Sequence, residues 1–266
     1  MRPLISLIRR EFTAYFLSPI AYVTLAVFQV ITGALFYLTL TKLTEAGPRG
    51  IEYPMQLLFG GSTYPVEAMI AGVFFWFLLP ALTAVFTMRL LAEERARGTL
   101  EMLLTAPIRD WQVVAGKYIA CFLFYIVLWL PTLLYIPVLV DLDWSTGAAR
   151  LDYWPVITSY AGAITAGAMF LAVGFFVSSQ VQDQLVAWML SMLVGLVFIV
   201  PGYVAWYIGS GSRWYPLTAL LGVPEHFRRD FSRGVIDTRH LVLYLSVTVF
   251  CLFLTVRSLE ARRLRS

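Results

Sequence analysis

A chain of 266 residues in which 59% are hydrophobic and only 14% charged cannot clothe a water-facing surface in polar groups, which excludes an ordinary soluble domain and makes the bilayer its solvent. The formal net charge of +4 sits in basic residues between and beyond the apolar runs, with no basic module of the kind that grips a phosphate backbone, so nucleic acid is set aside as a partner. Its two cysteines, Cys121 and Cys251, lie in apolar runs far apart, giving neither a disulfide framework nor a Cys/His metal spacing.

In chain order, residues 1–17 come first, with Leu4, Ile5, Ile8, Phe12, Tyr15 and Phe16 on one helical face and Arg2, Ser6, Arg9, Arg10 and Thr13 on the other. That pattern predicts an amphipathic helix lying in the headgroup region. No small-residue cleavage site follows a compact apolar core, so the segment is taken as retained rather than as a cleaved signal peptide. Six apolar runs follow, at about 18–41, 66–90, 118–140, 153–179, 184–208 and 241–257. Each is long enough to cross about 30 Å of hydrocarbon as a helix, and their continuity argues against a barrel, whose strands alternate. Ser178, Ser179, Gln180, Gln182, Asp183 and Gln184 divide the fourth run from the fifth as a tight surface turn.

An even number of spans puts both termini on one side. Counting Lys and Arg with the termini inside gives twelve inside and eight outside, so the bias favours cytoplasmic termini. The exception is the loop 209–240, which carries Arg213, Arg228, Arg229, Arg233 and Arg239 on the expected outer face, with Glu225, Asp230 and Asp237. Within it, 217–233 has the apolar residues of a helix lying on or dipping into the outer interface. Trp111, Trp144, Tyr153, Trp154, Trp206, Tyr207, Trp214 and Tyr215 fall near span ends, where amphipathic rings prefer to sit.

The segment 91–110 between the second and third runs is the most informative. Glu93 and Glu94 stand three and four residues before Arg97, the spacing at which opposite charges meet on a helix, so the second span continues beyond the membrane. Gly98 releases the helical geometry, Thr99 can cap a second short helix with Leu100, Leu103 and Leu104 on one side, and Pro107 ends it. A short helix between two spans, apolar on one face and ringed by charge, suits a groove on a partner protein. An ordinary topology-setting loop would have the same composition.

The order of those residues narrows the choice. Glu94-Arg95-Ala96-Arg97-Gly98-Thr99-Leu100-Glu101, then Leu103-Leu104-Thr105-Ala106-Pro107, then Gly116-Lys117-Tyr118, resembles the coupling-helix signature of type-2 ABC transporter permeases. Arg10-Glu11-Phe12 through Tyr15-Phe16, Ser18-Pro19-Ile20-Ala21-Tyr22, Glu225-His226-Phe227 and Phe231-Ser232-Arg233-Gly234-Val235-Ile236-Asp237 resemble the gliding-motility-associated branch. The resemblance implies an all-α integral membrane fold of six transmembrane helices, an N-terminal elbow helix and a cytoplasmic coupling helix between helices two and three. It also implies a second permease copy, a cytoplasmic ABC ATPase dimer that holds ATP and Mg, and room for an auxiliary outer component, in a bacterial plasma membrane. The residues that the resemblance makes ATPase-coupling are Glu93, Glu94, Arg95, Arg97, Gly98, Thr99, Leu100, Glu101, Leu103, Leu104 and Pro107.

What the chain lacks separates the classes further. No Gly-x-x-x-x-Gly-Lys-Ser/Thr loop occurs, so ATP is not cradled here by that route, and no cofactor is expected in this chain. The span interiors offer no obvious proton-relay or ion-coupling group, since Glu67, Arg89 and Asp183 fall at span ends. His226 and His240 are the only histidines and form no zinc-helix motif, which argues against an intrinsic enzyme and leaves both, with a Glu225–Arg228 or Glu225–Arg229 pair, as solvated surface groups. The remaining alternative is a non-transporting scaffold or channel-like membrane protein, which would not need the coupling segment. Gly162, Gly167 and Gly174 in the fourth run predict a close helix contact, and Pro80, Pro131, Pro137 and Pro201 predict bends.

Overall fold

A computed structural model of the protein describes residues 2–46, 65–92, 95, 98, 110–146 and 152–263. Among these are ten α-helices and two 3-10 turns, and no strand. The helices are α1 (Arg2–Leu17), α2 (Pro19–Ala46), α3 (Pro65–Thr87), α4 (Asp110–Trp129), α5 (Tyr135–Thr146), α6 (Tyr153–Gln180), α7 (Gln184–Ile208), α8 (Tyr215–Leu221), α9 (Val223–Arg229) and α10 (Thr238–Arg263). Five stretches are long and apolar enough to cross a membrane: Pro19–Thr41, Asp110–Val140, Tyr153–Gln180, Gln184–Ile208 and Thr238–Ala261; Gly72–Thr87 within α3 is a shorter apolar piece.

The boundaries follow local chemistry. Asp152 caps α6 by accepting from the Trp154 amide at 3.0 Å, and Asp183 caps α7 by accepting from the amides of Leu185 and Val186 at 2.7 and 3.4 Å. Each carboxylate satisfies amides that have no partner within their own helix. The turn expected at 178–184 is thus reduced to Val181, Gln182 and Asp183. The third span, expected over 118–140 with bends at Pro131 and Pro137, is longer and interrupted once by a 3-10 turn. It starts at Asp110 and changes pitch in a 3-10 turn, Leu130–Leu134, before resuming as α5. Pro131 has no amide to give the preceding turn, and Gln29 on α2 donates its Nε2 to the Leu128 carbonyl at 2.9 Å. A side chain from a neighbouring helix is how such a break is tolerated in hydrocarbon.

α6 is the hub, lying along α10 and touching α3, α4 and α7. The small residues anticipated along it make room for neighbours within this chain. Gly162 faces Phe227 and Phe231, Gly167 faces the Tyr125 ring, and Gly174 faces Thr87. Gly195 on α7 similarly admits Pro80. The core is aromatic: Trp76, Phe124, Tyr125, Phe175, Phe227, Phe231 and Tyr244 are fully buried. Phe16, Tyr15 and Phe86 surround Phe124 at centroid distances of 5.0–5.5 Å. Edge-on and stacked pairs of this kind add about 0.5–1.5 kcal/mol each beyond burial. α7 keeps one long apolar face outward, with Leu185, Met189, Leu193 and Val197 all exposed, as a lipid-facing helix does.

Candidate functional site

α1 and the end of α10 both meet the start of α4, through Glu11–Lys117 and Arg263–Asp110, at one end of the bundle, here called the near end, and α8 and α9 lie at the other, between the end of α7 and the start of α10. The near end is where α3 leaves the bundle and α4 re-enters it, so the segment 91–110 is strung between two anchored helices. Of the eleven residues singled out there, Glu93, Glu94, Arg97, Thr99, Leu100, Glu101, Leu103, Leu104 and Pro107 lie outside the described residues. Arg95 and Gly98 are described. The Arg95 amide bonds to the Leu91 carbonyl at 3.0 Å, continuing helical pairing past α3, and the Gly98 amide bonds to the Arg95 carbonyl at 3.1 Å. Gly98 has φ 68°, the left-handed conformation that commonly closes a helix and that glycine adopts without a Cβ penalty.

Arg95 reaches sideways, its Nη1 donating to the Val181 carbonyl in the α6–α7 turn at 3.0 Å. Ser178 Oγ lies within 3.2–3.4 Å of the amides of Leu91 and Ala92 and the carbonyl of Met88. On the other flank, α4 is clamped to α1. Gly116 lets Leu7 come against the α4 backbone, and Lys117 Nζ lies 3.3 Å from Glu11 Oε2 with their side chains 3% and 15% exposed. Burial pushes the Glu11 carboxyl up, but Lys117 and Arg10 together hold it below the usual carboxylate value. Arg263 at the end of α10 meets Asp110 at 3.4 Å, and Arg89 Nη1 donates to Ser18 Oγ at 3.1 Å. The sequence placed Lys117 just before the third run, among the basic residues counted on the inside. Because α4 begins at Asp110, Lys117 is instead a buried group on its second turn.

The far end overturns a second expectation. Glu225 and His226 are buried, not solvated, at 2% and 1% exposure. α9 is wedged under α8 and against α7, where Gly202 and Gly222 meet backbone to backbone. Phe227 packs on Trp76 at 4.7 Å, and Thr158 and Ser159 on α6 both donate to the Phe231 carbonyl. The expected pair exists but is internal: Glu225 accepts from Arg228 at 2.6 and 2.7 Å and meets Arg229 at 2.7 Å, while Tyr215 Oη donates to it at 3.1 Å. Bonding to Glu225 raises the pKa of Arg228 further above its ordinary value.

His226 Nε2 faces the carbonyls of Ala219 and Leu220 at 2.9 and 3.0 Å, so this nitrogen must carry the proton, and Nδ1 accepts from Tyr244 Oη at 2.8 Å. Its ring stacks on His240 at 3.7 Å. Burial first, then the adjacent His240 ring, push the His226 imidazole down to about 4. Asp230, Asp237 and His240 bring three ligand-type atoms within 4.8 Å of one another. Hydrogen bonds account for that cluster: His240 Nε2 donates to Asp230 Oδ2 at 2.8 Å, and Asp237 Oδ1 accepts the Arg239 amide at 2.8 Å at the start of α10.

The arrangement offers no assembled nucleophile, base and oxyanion donor among the described residues. It is an integral membrane protein whose described elements are all helical, with polar ties at both ends of its bundle. Residues 11–216 match the family described as ABC-2 family transporter protein, and the chain belongs to it. It is therefore a membrane permease subunit of an ABC transporter, and the family implies an ABC ATPase as its partner. No curated protein matches the chain.

Proposed function

We propose that this chain is one of two permeases lining a translocation path and driven by a separate cytoplasmic ATPase dimer that docks on residues 91–110. In this reading α3 is the sixth span, α1 is an elbow helix in the cytoplasmic headgroup layer, and the near end with both termini is cytoplasmic. The membrane is a bacterial plasma membrane, the branch is the gliding-motility-associated one, and ATP and Mg bind in the partner. The apolar, aromatic spans favour export of a lipid-like, polymeric or peptide cargo.

The observation that carries this proposal is the pairing of anchors around the segment. Arg95 within the segment is tied to the α6–α7 turn and Lys117 on α4 to α1, so a push on residues 91–110 meets braced structure on both sides. A scaffold protein has no need of such bracing. The test is co-expression with the ABC ATPase subunits encoded in the same genome, followed by detergent purification. An ATPase retained by the wild type and lost by Glu94→Ala and Leu103→Asp supports the docking surface. Failure of every ATPase to co-purify favours the scaffold or channel-like class.

A further inference from the structure

Three contacts fall into one register along the end of α3 and the residues that follow it, beside the end of α6 and the turn that follows it. Thr87 sits over Gly174, where a Cβ would collide with its side chain. One turn on, Ser178 Oγ accepts from the amides of Leu91 and Ala92 at 3.4 and 3.2 Å. A further turn on, Arg95 Nη1 donates to the Val181 carbonyl at 3.0 Å. Positions 87, 91 and 95 advance four residues at a time while 174, 178 and 181 keep step beside them. The chain leaving α3 thus meets the chain leaving α6 at three successive points as both run in the same direction. The seam begins inside the bundle and runs on past the end of α3, into the segment read above as the ATPase-docking element.

That continuity has a mechanical meaning. Ser178 is fully buried, and the amides it receives are buried with it. Sliding residues 91–95 away from α6 would leave those amides without an acceptor out of water, a loss proteins rarely tolerate. Moving the α6–α7 turn with the segment keeps every bond. The downstream flank reaches the same helix, because Tyr118 and Tyr125 of α4 donate to the carbonyls of Ala168 and Ala163 of α6, both at 2.9 Å. From α6 the path continues through Gln180 Nε2, which donates to Ser258 Oγ of α10 at 3.1 Å.

We infer that the α6–α7 turn is the receiving joint of the coupling segment, with Arg95 and Ser178 as positioning residues that make α6 move with it. This deepens the proposed function and rests on it. The ATPase stroke is delivered to α6 from both flanks of residues 91–110, not only to the two helices that the segment connects. Ser178 and Val181 would then belong to the drive train although each lies 86 residues in sequence from its partner, Ala92 or Arg95.

The experiment is hydrogen exchange on the permease–ATPase complex in lipid nanodiscs, without nucleotide and trapped with a non-hydrolysable ATP analogue. In the wild type, peptides covering 178–186 are expected to change protection with nucleotide alongside those covering 91–110. In Ser178→Ala, residues 91–110 keep their response and the turn loses it, while ATPase stoichiometry and helical content stay unchanged. A merely structural role would lower protection of the turn equally in both nucleotide states. The inference is overturned if the wild-type turn ignores nucleotide while 91–110 responds, a result that needs no variant to fold. It is equally overturned if the turn still responds in Ser178→Ala. If no ATPase binds, or residues 91–110 themselves do not respond, the coupling reading fails and the inference with it, a pattern distinct from the other two.

Discussion

Replacing Glu11 by Gln tests how much of the near end hangs on one ion pair. Lys117 and Glu11 are 3% and 15% exposed at 3.3 Å, so solvent screens their attraction little, and Glu11→Gln takes the carboxylate away from a buried ammonium. Losing one member of such a pair costs about 3–5 kcal/mol, which for a chain of this size lowers the thermal midpoint by roughly 10 °C. Lys117→Met keeps the volume and needs no partner, and the Glu11 carboxylate it leaves behind retains Arg10 at 2.7 Å. The double variant Glu11→Gln/Lys117→Met should therefore unfold above Glu11→Gln alone. The pH dependence has a definite sign. The folded pKa of Glu11 lies below its ordinary value of 4.5, so the pair's contribution is complete above about pH 4.5 and is lost as pH falls through the lowered value. The assay is tryptophan fluorescence on heating, in one detergent, at several pH values. A wild-type midpoint for Glu11→Gln, or a double variant less stable than either single one, would refute the argument.

Two further predictions use other parts of the structure. Gly167→Ala drives a methyl into the Tyr125 ring and should cost about 1–3 kcal/mol, whereas Gly211→Ala, which meets open space, should be close to neutral; unfolding midpoints compare them. His226, held down to about 4, is neutral when folded but takes up a proton when unfolded below about pH 6.5. Stability should fall as pH drops from 6.5 toward 4, by up to about 3 kcal/mol, and His226→Gln should flatten that slope; an unchanged slope in the variant would assign the acid sensitivity elsewhere.

Hydrophobic runs are the strongest signal a membrane chain carries, and here they placed most span ends closely. The run at 184–208 is the helix Gln184–Ile208, and 153–179 extends by one residue to Gln180. Asp152 and Asp183 before those helices are local caps, readable within three residues of sequence. The buried Lys117–Glu11 pair has no such signature, because its members are 106 residues apart and each taken alone resembles a loop charge. Glu225 and His226 were misread for a related reason. A polar stretch looks solvated until a fold supplies Arg228, Arg229, Tyr215 and Tyr244 as partners, and burial then follows from satisfaction rather than from composition. The pitch change at Leu130–Leu134 was signalled only by Pro131, and proline marks where a helix is interrupted, not what form the interruption takes. Gly98 was legible as a helix-ending residue, but the reach of Arg95 to Val181 depends on a register set in α3 and α6 that no local window contains.

The 3-10 turn in the third span has one further consequence. α4 packs on α1, α6 and α10 and meets α2 at its end, through Leu128 and Trp129, whereas Tyr135 at the start of α5 stacks on Phe36 of α2 at 4.3 Å. A helix that changes pitch at midspan does not carry the phase of one half into the other, so the face α5 presents is not fixed by the contacts α4 makes with α1 and α6. Substitutions that reshape the apolar face of α5 can accumulate without rotating Lys117 off Glu11. For anyone recombining this permease with another, the cleanest crossover point is inside a membrane span, at Leu130, rather than in a loop.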